Sequence, residues 1–337
     1  MTADSILHVL LALLPVVCFL VGLVLLDSYK LVGIGWVLGV ILAGGTVALL
    51  SYGIDSSVLS LLSMDFMHFS RYVAPLVEEL LKALIIVGLL RLHRIGFLVD
   101  AAIFGFAAGA GFALVENLFF LQVLSDASPG VWIVRGFGTA IMHGGATAMF
   151  AVAGRALMSR LKRPVIVALL PGLAAAYLLH SMFNHFFVSP LLSTFVVLIV
   201  LPLMLSFVFQ QSEKAVEEWL DIGFDADTEL LELIHSGEFS ESHVGQYLHS
   251  LKENFEGPVV ADLLCYLRLH VELALRAKGQ LMMRESGFRN SPGTETRAKL
   301  DELKYLEGSI GMTGILAVRP FLQMSRKDLW QFYVLGR

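Results

Sequence analysis

Seven apolar stretches, at about residues 5–26, 31–51, 68–90, 97–124, 131–154, 165–188 and 190–210, follow one another through the chain, and each reaches the roughly 20 residues that span a bilayer as a helix. Within the hydrocarbon every backbone polar group must be satisfied inside the protein, which leaves helices and closed barrels as the only spanning structures. Segments of this length select helices. The expected fold is therefore all-α: a polytopic membrane helix bundle of about seven spans, followed by a C-terminal soluble helical domain.

Composition agrees, with 56% of the residues hydrophobic and 16% charged. The opening "MTADS" lacks the basic stretch of a signal peptide, so the run from Ile6 to Leu26 is expected to stay as an anchor in the lipid bilayer. Cys18 and Cys265 stand far apart without metal-type spacing, so they imply neither a disulfide framework nor a zinc knuckle. A net charge of -5 without a dense Lys/Arg tract excludes nucleic acid as the main partner.

Basic residues set the orientation. Lys30, then Arg91 and Arg94, then Arg155, Arg160, Lys162 and Arg163 fall in alternate connections, while the opposite connections hold Arg71 and Arg135 beside Asp55, Asp65 and Asp126. This places the N-terminus outside and the C-terminus in the cytoplasm of a cell (inner) membrane protein. From Ser212 onward charges recur every few residues among helically spaced Leu and Ile, as in "SEKAVEEWLDIGFDADTELLELIHSGEF". The expected division is 1–211, a transmembrane catalytic domain, and 212–337, a cytoplasmic helical domain with a role in regulation or substrate docking.

Several ionisable residues lie inside the spans, where a charge costs about 2.5–3.5 kcal/mol at the bilayer centre and marks a functional site. They are Glu78, Glu79 and Lys82 on the third span, Glu116 with Asn117 on the fourth, His143 on the fifth, and His180, Asn184 and His185 on the sixth. At 1.5 Å per residue, Glu78, Glu116, His143 and His180 all fall roughly 12–18 Å below the outer surface, a shared layer. Glycine and alanine in "FGFAAGAGFA" and "HGGATA" allow the close helix approach that would gather them. Lys82 stands four residues from Glu78 and three from Glu79, and His180 four from Asn184, so each pair shares a helix face.

Two imidazoles, a carboxylate and a water make a catalytic zinc set, in which the metal brings the water pKa to about 7. Glu116, His143 and His180 would supply the ligands, Glu78 the general base with Glu79 and Lys82 beside it, and Asn184 an oxyanion donor. A metal-free variant, in which Glu78 and a histidine activate water directly, uses the same residues. So does an ion relay, which makes a cation or proton transporter the alternative function. A receptor or scaffold with structural polar groups is a third.

The Glu-Glu-x-x-Lys of Glu78, Glu79 and Lys82, the Phe-x-x-x-Glu-Asn of Phe112, Glu116 and Asn117, His143 before "GGATA", and the His-x-x-x-Asn of His180 and Asn184 occur in order on successive spans. In this the region from about Arg71 to Val188 resembles the PrsW-type intramembrane proteases, relatives of the CAAX protease and bacteriocin-processing group. The resemblance implies an intramembrane endopeptidase acting on membrane-anchored protein substrates, with anti-sigma factors the best-known substrate type.

Overall fold

The computed structural model describes residues 3–27, 32–124, 126–160, 165–236, 238–253, 255–286, 288, 294–322 and 335. All of the described elements are helical, and the chain divides into two compact units, Met1–Glu213 and Lys214–Arg337. Lys30, Lys162 and Arg163, three of the orienting charges, lie outside the described residues.

Unit 1 contains α1 (Ala3–Leu25), α2 (Ile34–Leu62), α3 (Ala74–Arg91), α4 (Leu98–Val123), α5 (Ala140–Arg160), α6 (Val165–His185) and the start of α7 (Pro190–His235). Helix α4 is the axis of the unit: 83% of its most apolar stretch is buried within the protein, against 22–39% for the other helices of spanning composition. It packs most extensively on α5, then on α2 and α1, while α5 leans on α6 and α3 bridges α2 and α6.

Glycines set the closeness of this packing. A Cβ on Gly44 of α2 would enter the carbonyl of Ala108, one on Gly111 of α4 the carbonyl of Ile41, and one on Gly109 the carbonyl of His143. Backbone therefore meets backbone along both faces of α4, as small residues at membrane helix interfaces permit. The expectation drawn from "FGFAAGAGFA" and "HGGATA" describes this contact.

Among the described residues, five helices have the length and apolarity to cross a membrane: Ser5–Leu25, Ile34–Leu62, Leu98–Val123, Val167–His185 and Pro190–Glu217. Helices α3 and α5 have the length but not the composition, since α3 carries Glu78, Glu79, Lys82 and Arg91 and α5 carries His143, Arg155 and several glycines. The two helices of lower apolarity are thus ones that deliver charge to the interior. The chain is an integral membrane protein of the all-α class.

Two departures from the expected spans stand out. Helix α2 runs to Leu62 instead of ending near residue 51, and along "SYGIDSS" Ser56 and Ser57 hydrogen-bond back to the carbonyls of Tyr52 and Gly53 while Ser51 donates to Asp55, so these hydroxyls are satisfied within the helix. Helices α3 and α5 are each preceded by a π-helical turn, Phe69–Val73 and Val134–Thr139. An inserted π turn rotates the helix beyond it to present a different face, and such turns often accompany a functional site.

At one end of unit 1, Asp100 accepts from the backbone of Gly96 and Phe97, Arg155 donates to Gly96 O, and the Arg94 guanidinium lies 4.1 Å from the Trp36 ring centre. These bonds join the α3–α4 connection to α2 and to the end of α5. At the opposite end Ser181 donates to Arg71 O at 2.7 Å and Asn184 to Ser70 O at 2.9 Å, fastening α6 to the first π turn.

Unit 2 continues from α7 through α8 (His243–Ser250), α9 (Gly257–Glu285) and α10 (Thr294–Val318), which breaks at Gly311 with φ +64°. Its core joins Leu263, Tyr266, Leu267 and Leu273 of α9 to Leu303, Leu306 and Ile310 of α10. Lys278, buried on α9, pairs with Asp227 of α7 at 2.6 Å. Burial, with Lys278 nearby, pushes His270 down to about 4.

Candidate metal centre

The π turns, the glycine contacts and the Ser181 and Asn184 bonds bring α3, α4, α5 and α6 together around one polar cluster. Glu79, Lys82, His143 and His180 are all buried, with Lys82 fully enclosed. Glu79 Oε1 accepts from Lys82 Nζ at 2.5 Å and faces His180 Nδ1 at 2.8 Å. Of the two pairings that the spacing allows Lys82, the structure forms the one to Glu79, and Glu78 is left apart.

Hydrogen-bond logic fixes both rings. A carboxylate accepts, so the His180 N–H sits on Nδ1 and the Nε2 lone pair looks inward, where Glu78 Oε2 stands 3.9 Å away. Lys82 Nζ donates to His143 Nδ1 at 3.1 Å, so the His143 N–H falls on Nε2, which faces Glu116 Oε2 at 3.2 Å. His143 Nδ1 in turn lies 4.0 Å from Glu78 Oε2. The rings stand edge to face with centres 4.6 Å apart, and Phe112 walls the site 5.0 Å from His143 and 4.8 Å from Lys82 Nζ.

Glu78, His143 and His180 thus offer three ligand atoms within 4.8 Å of one another. Ligand atoms about 3.4 Å apart suit a tetrahedral zinc with bonds of about 2.1 Å, so separations of 3.9 to 4.8 Å would have to shorten by roughly 0.5–1.4 Å, a rotamer-scale adjustment, to close the set. Glu78 Oε2 is buried and has no hydrogen-bond partner, a costly state for a carboxylate that a cation removes. The residues present fit a metal.

Glu116 and Asn184, the other expected site residues, border the cluster. Glu116 pairs through Oε1 with Arg135 Nη2 at 3.2 Å and lies on the far edge of His143 from Glu78. Asn184 Nδ2 is engaged by the Ser70 carbonyl, and His185 Nδ1 meets Ser181 O at 2.6 Å. Arg135, which in the sequence counts only as an outer-side charge, also bonds Asn117 Oδ1 at 2.9 Å. The signal for it was a lone arginine within "VWIVRGFGTA", inside a stretch long enough to span.

Fold and site together define an integral membrane protein that gathers a carboxylate and two imidazoles, in metal-binding array, inside its helix bundle. The model of the PrsW family intramembrane metalloproteases matches residues 31–208, and the chain belongs to that family. No curated protein and no solved structure matches it. Membership makes it an intramembrane protease whose substrates are membrane-embedded proteins, in preference to an ion relay.

Proposed function

We propose that the chain hydrolyses peptide bonds of membrane-anchored proteins at the cluster of Glu78, His143 and His180, and that these three residues hold a metal, with zinc the ion their chemistry suits best. The carrying observation is the orphaned Glu78 Oε2 facing the His180 Nε2 lone pair at 3.9 Å and, at 4.0 Å, His143 Nδ1, whose lone pair Lys82 now occupies and would have to release to a metal. A bound zinc supplies a water of lowered pKa and a Lewis acid for the scissile carbonyl. Glu79 holds His180 with Nε2 inward, Glu116 faces the N–H edge of His143, and Lys82 offsets the charge of Glu79. In this reading Glu78 is a ligand and Glu116 an orienting carboxylate.

The same orphaned oxygen favours a second reading, in which Glu78 is the general base that takes the proton of the attacking water. Glu78→Gln separates the two in purified full-length protein with a membrane-anchored test substrate. Both readings expect cleavage to fall about 10³-fold or more, a loss of at least ~4 kcal/mol of transition-state stabilisation. Metal lost with the activity supports the ligand role, and metal retained supports the base. Undiminished cleavage would sink the site.

Anti-sigma-factor-like membrane proteins are the proposed substrate type, expected to accumulate uncleaved in cells that carry Glu78→Gln. The proposed orientation keeps the N-terminus outside and residues 212–337 in the cytoplasm of the inner membrane; accessibility labelling of Cys265 from the outer side would contradict it. For residues 212–337 we propose regulation or substrate docking, motivated by the amphipathic α9 and α10. Cleavage of every substrate at the native rate after deletion beyond Gln211 would remove that role.

A further inference from the structure

Two parallel relays flank Glu78. On one side Lys82 bonds Glu79, and Glu79 bonds the His180 ring; on the other Arg135 pairs with Glu116, and Glu116 faces the His143 ring. We propose that Arg135 is a positioning residue of the metal centre, which holds the Glu116 carboxylate against His143 Nε2 and so keeps His143 Nδ1 turned toward Glu78. The proposal rests on the reading of Glu78, His143 and His180 as ligands.

Arg135 is built to stay in place. Its Nη2 meets Glu116 Oε1, its Nε donates to Asn117 Oδ1, and its guanidinium carbon lies 3.7 Å from the Phe120 ring centre. A planar guanidinium held by one hydrogen bond, one ion pair and a ring face has a preferred orientation, which an ammonium does not reproduce. Asn117 Nδ2 donates to Ala12 O at 2.8 Å, and a Cβ on Gly136 would enter the Leu11 carbonyl, so α1 clamps the π turn that carries Arg135. Glu116, 26% exposed at its side chain, has room to swing out once the guanidinium is gone. His143 then loses the group opposite its N–H, and the ring is held from the Nδ1 side alone, by Lys82. Carboxylates that back metal-bound imidazoles typically account for 10- to 100-fold in affinity.

The test is cobalt(II) affinity and visible absorption of the full-length protein in detergent, for the native chain, Arg135→Gln, Arg135→Lys and Glu78→Ala. Arg135→Gln is expected to bind cobalt about 10- to 100-fold more weakly with an altered spectrum, while Arg135→Lys, which keeps the charge but not the fork, loses less than about 10-fold. Native affinity and spectrum in Arg135→Gln, even with a lowered melting temperature, would reduce Arg135 to scaffold and overturn the proposal alone, provided Glu78→Ala has lost the metal. Cobalt bound equally by Glu78→Ala and the native chain would overturn the ligand reading and this role with it.

Discussion

Glu79 Oε1 is shared by two buried groups: Lys82 Nζ at 2.5 Å and His180 Nδ1 at 2.8 Å. The one oxygen compensates a fully enclosed ammonium and fixes which nitrogen of His180 looks toward Glu78. Glu79→Ala leaves the Lys82 charge buried without its counter-ion, so the melting transition should drop by the equivalent of about 3–5 kcal/mol. Adding Lys82→Met should restore most of that stability without restoring cleavage. Recovery of cleavage in the double variant would show that Glu79 acts only as a counter-ion.

Gly109 lies against the backbone of His143. A methyl group there must push α5 away at His143, a small-to-large change that costs typically about 1–3 kcal/mol. Gly109→Ala is expected to lower both stability and metal affinity. Gly39→Ala, with nothing within 4 Å of the added carbon, should be neutral or stabilise by about 0.5–1 kcal/mol. Equal effects of the two in thermal unfolding would refute the close-contact account.

Asn184 fastens α6 to the π turn through Ser70 O. Asn184→Ala should cost about 1 kcal/mol of stability and less than about 10-fold in kcat. A kcat loss of about 10²–10³ at unchanged stability would instead mark it as an oxyanion donor.

His270, 3% exposed in α9, is held down to about 4, below the usual 6.5, chiefly by burial. The folded unit therefore binds the proton less readily than the unfolded chain. The stability that neutral His270 supports is complete above about pH 6.5 and is lost as pH falls from there toward 4, by up to roughly 3 kcal/mol. Hydrogen exchange across Gly257–Glu285, corrected for intrinsic rates, should accelerate over that window in the native chain and not in His270→Phe. A pH-independent profile in the native chain would contradict this.

Much of unit 1 was legible because bilayer length and apolar runs leave few alternatives, and Leu98–Val123 falls within a residue or two of the expected 97–124. That Glu78, His143 and His180 could meet was expected from rise per residue, which put them with Glu116 in one layer, and the three do lie together. Which carboxylate faces the two lone pairs was not. Glu78 and Glu116 sit at similar depth, and the choice turns on azimuth, which the π turns Phe69–Val73 and Val134–Thr139 reset. The second π turn also carries Arg135 to Glu116, a long-range pairing that no helical spacing encodes. The helical continuation of α2 through "SYGIDSS" was hidden because serine and glycine read as loop formers until their i−4 bonds are seen.

The central claim is that Glu78, His143 and His180 hold the metal and Glu116 only orients. Metal content per mole of full-length protein, by mass spectrometry after detergent purification, tests it most directly. The native chain should carry close to one equivalent, and Glu78→Ala, His143→Ala and His180→Ala almost none, while Glu116→Ala should refill at saturating metal with affinity lowered about 10- to 100-fold. A full equivalent in Glu78→Ala with none in Glu116→Ala would contradict the assignment, and so would a native protein that cleaves substrate without bound metal.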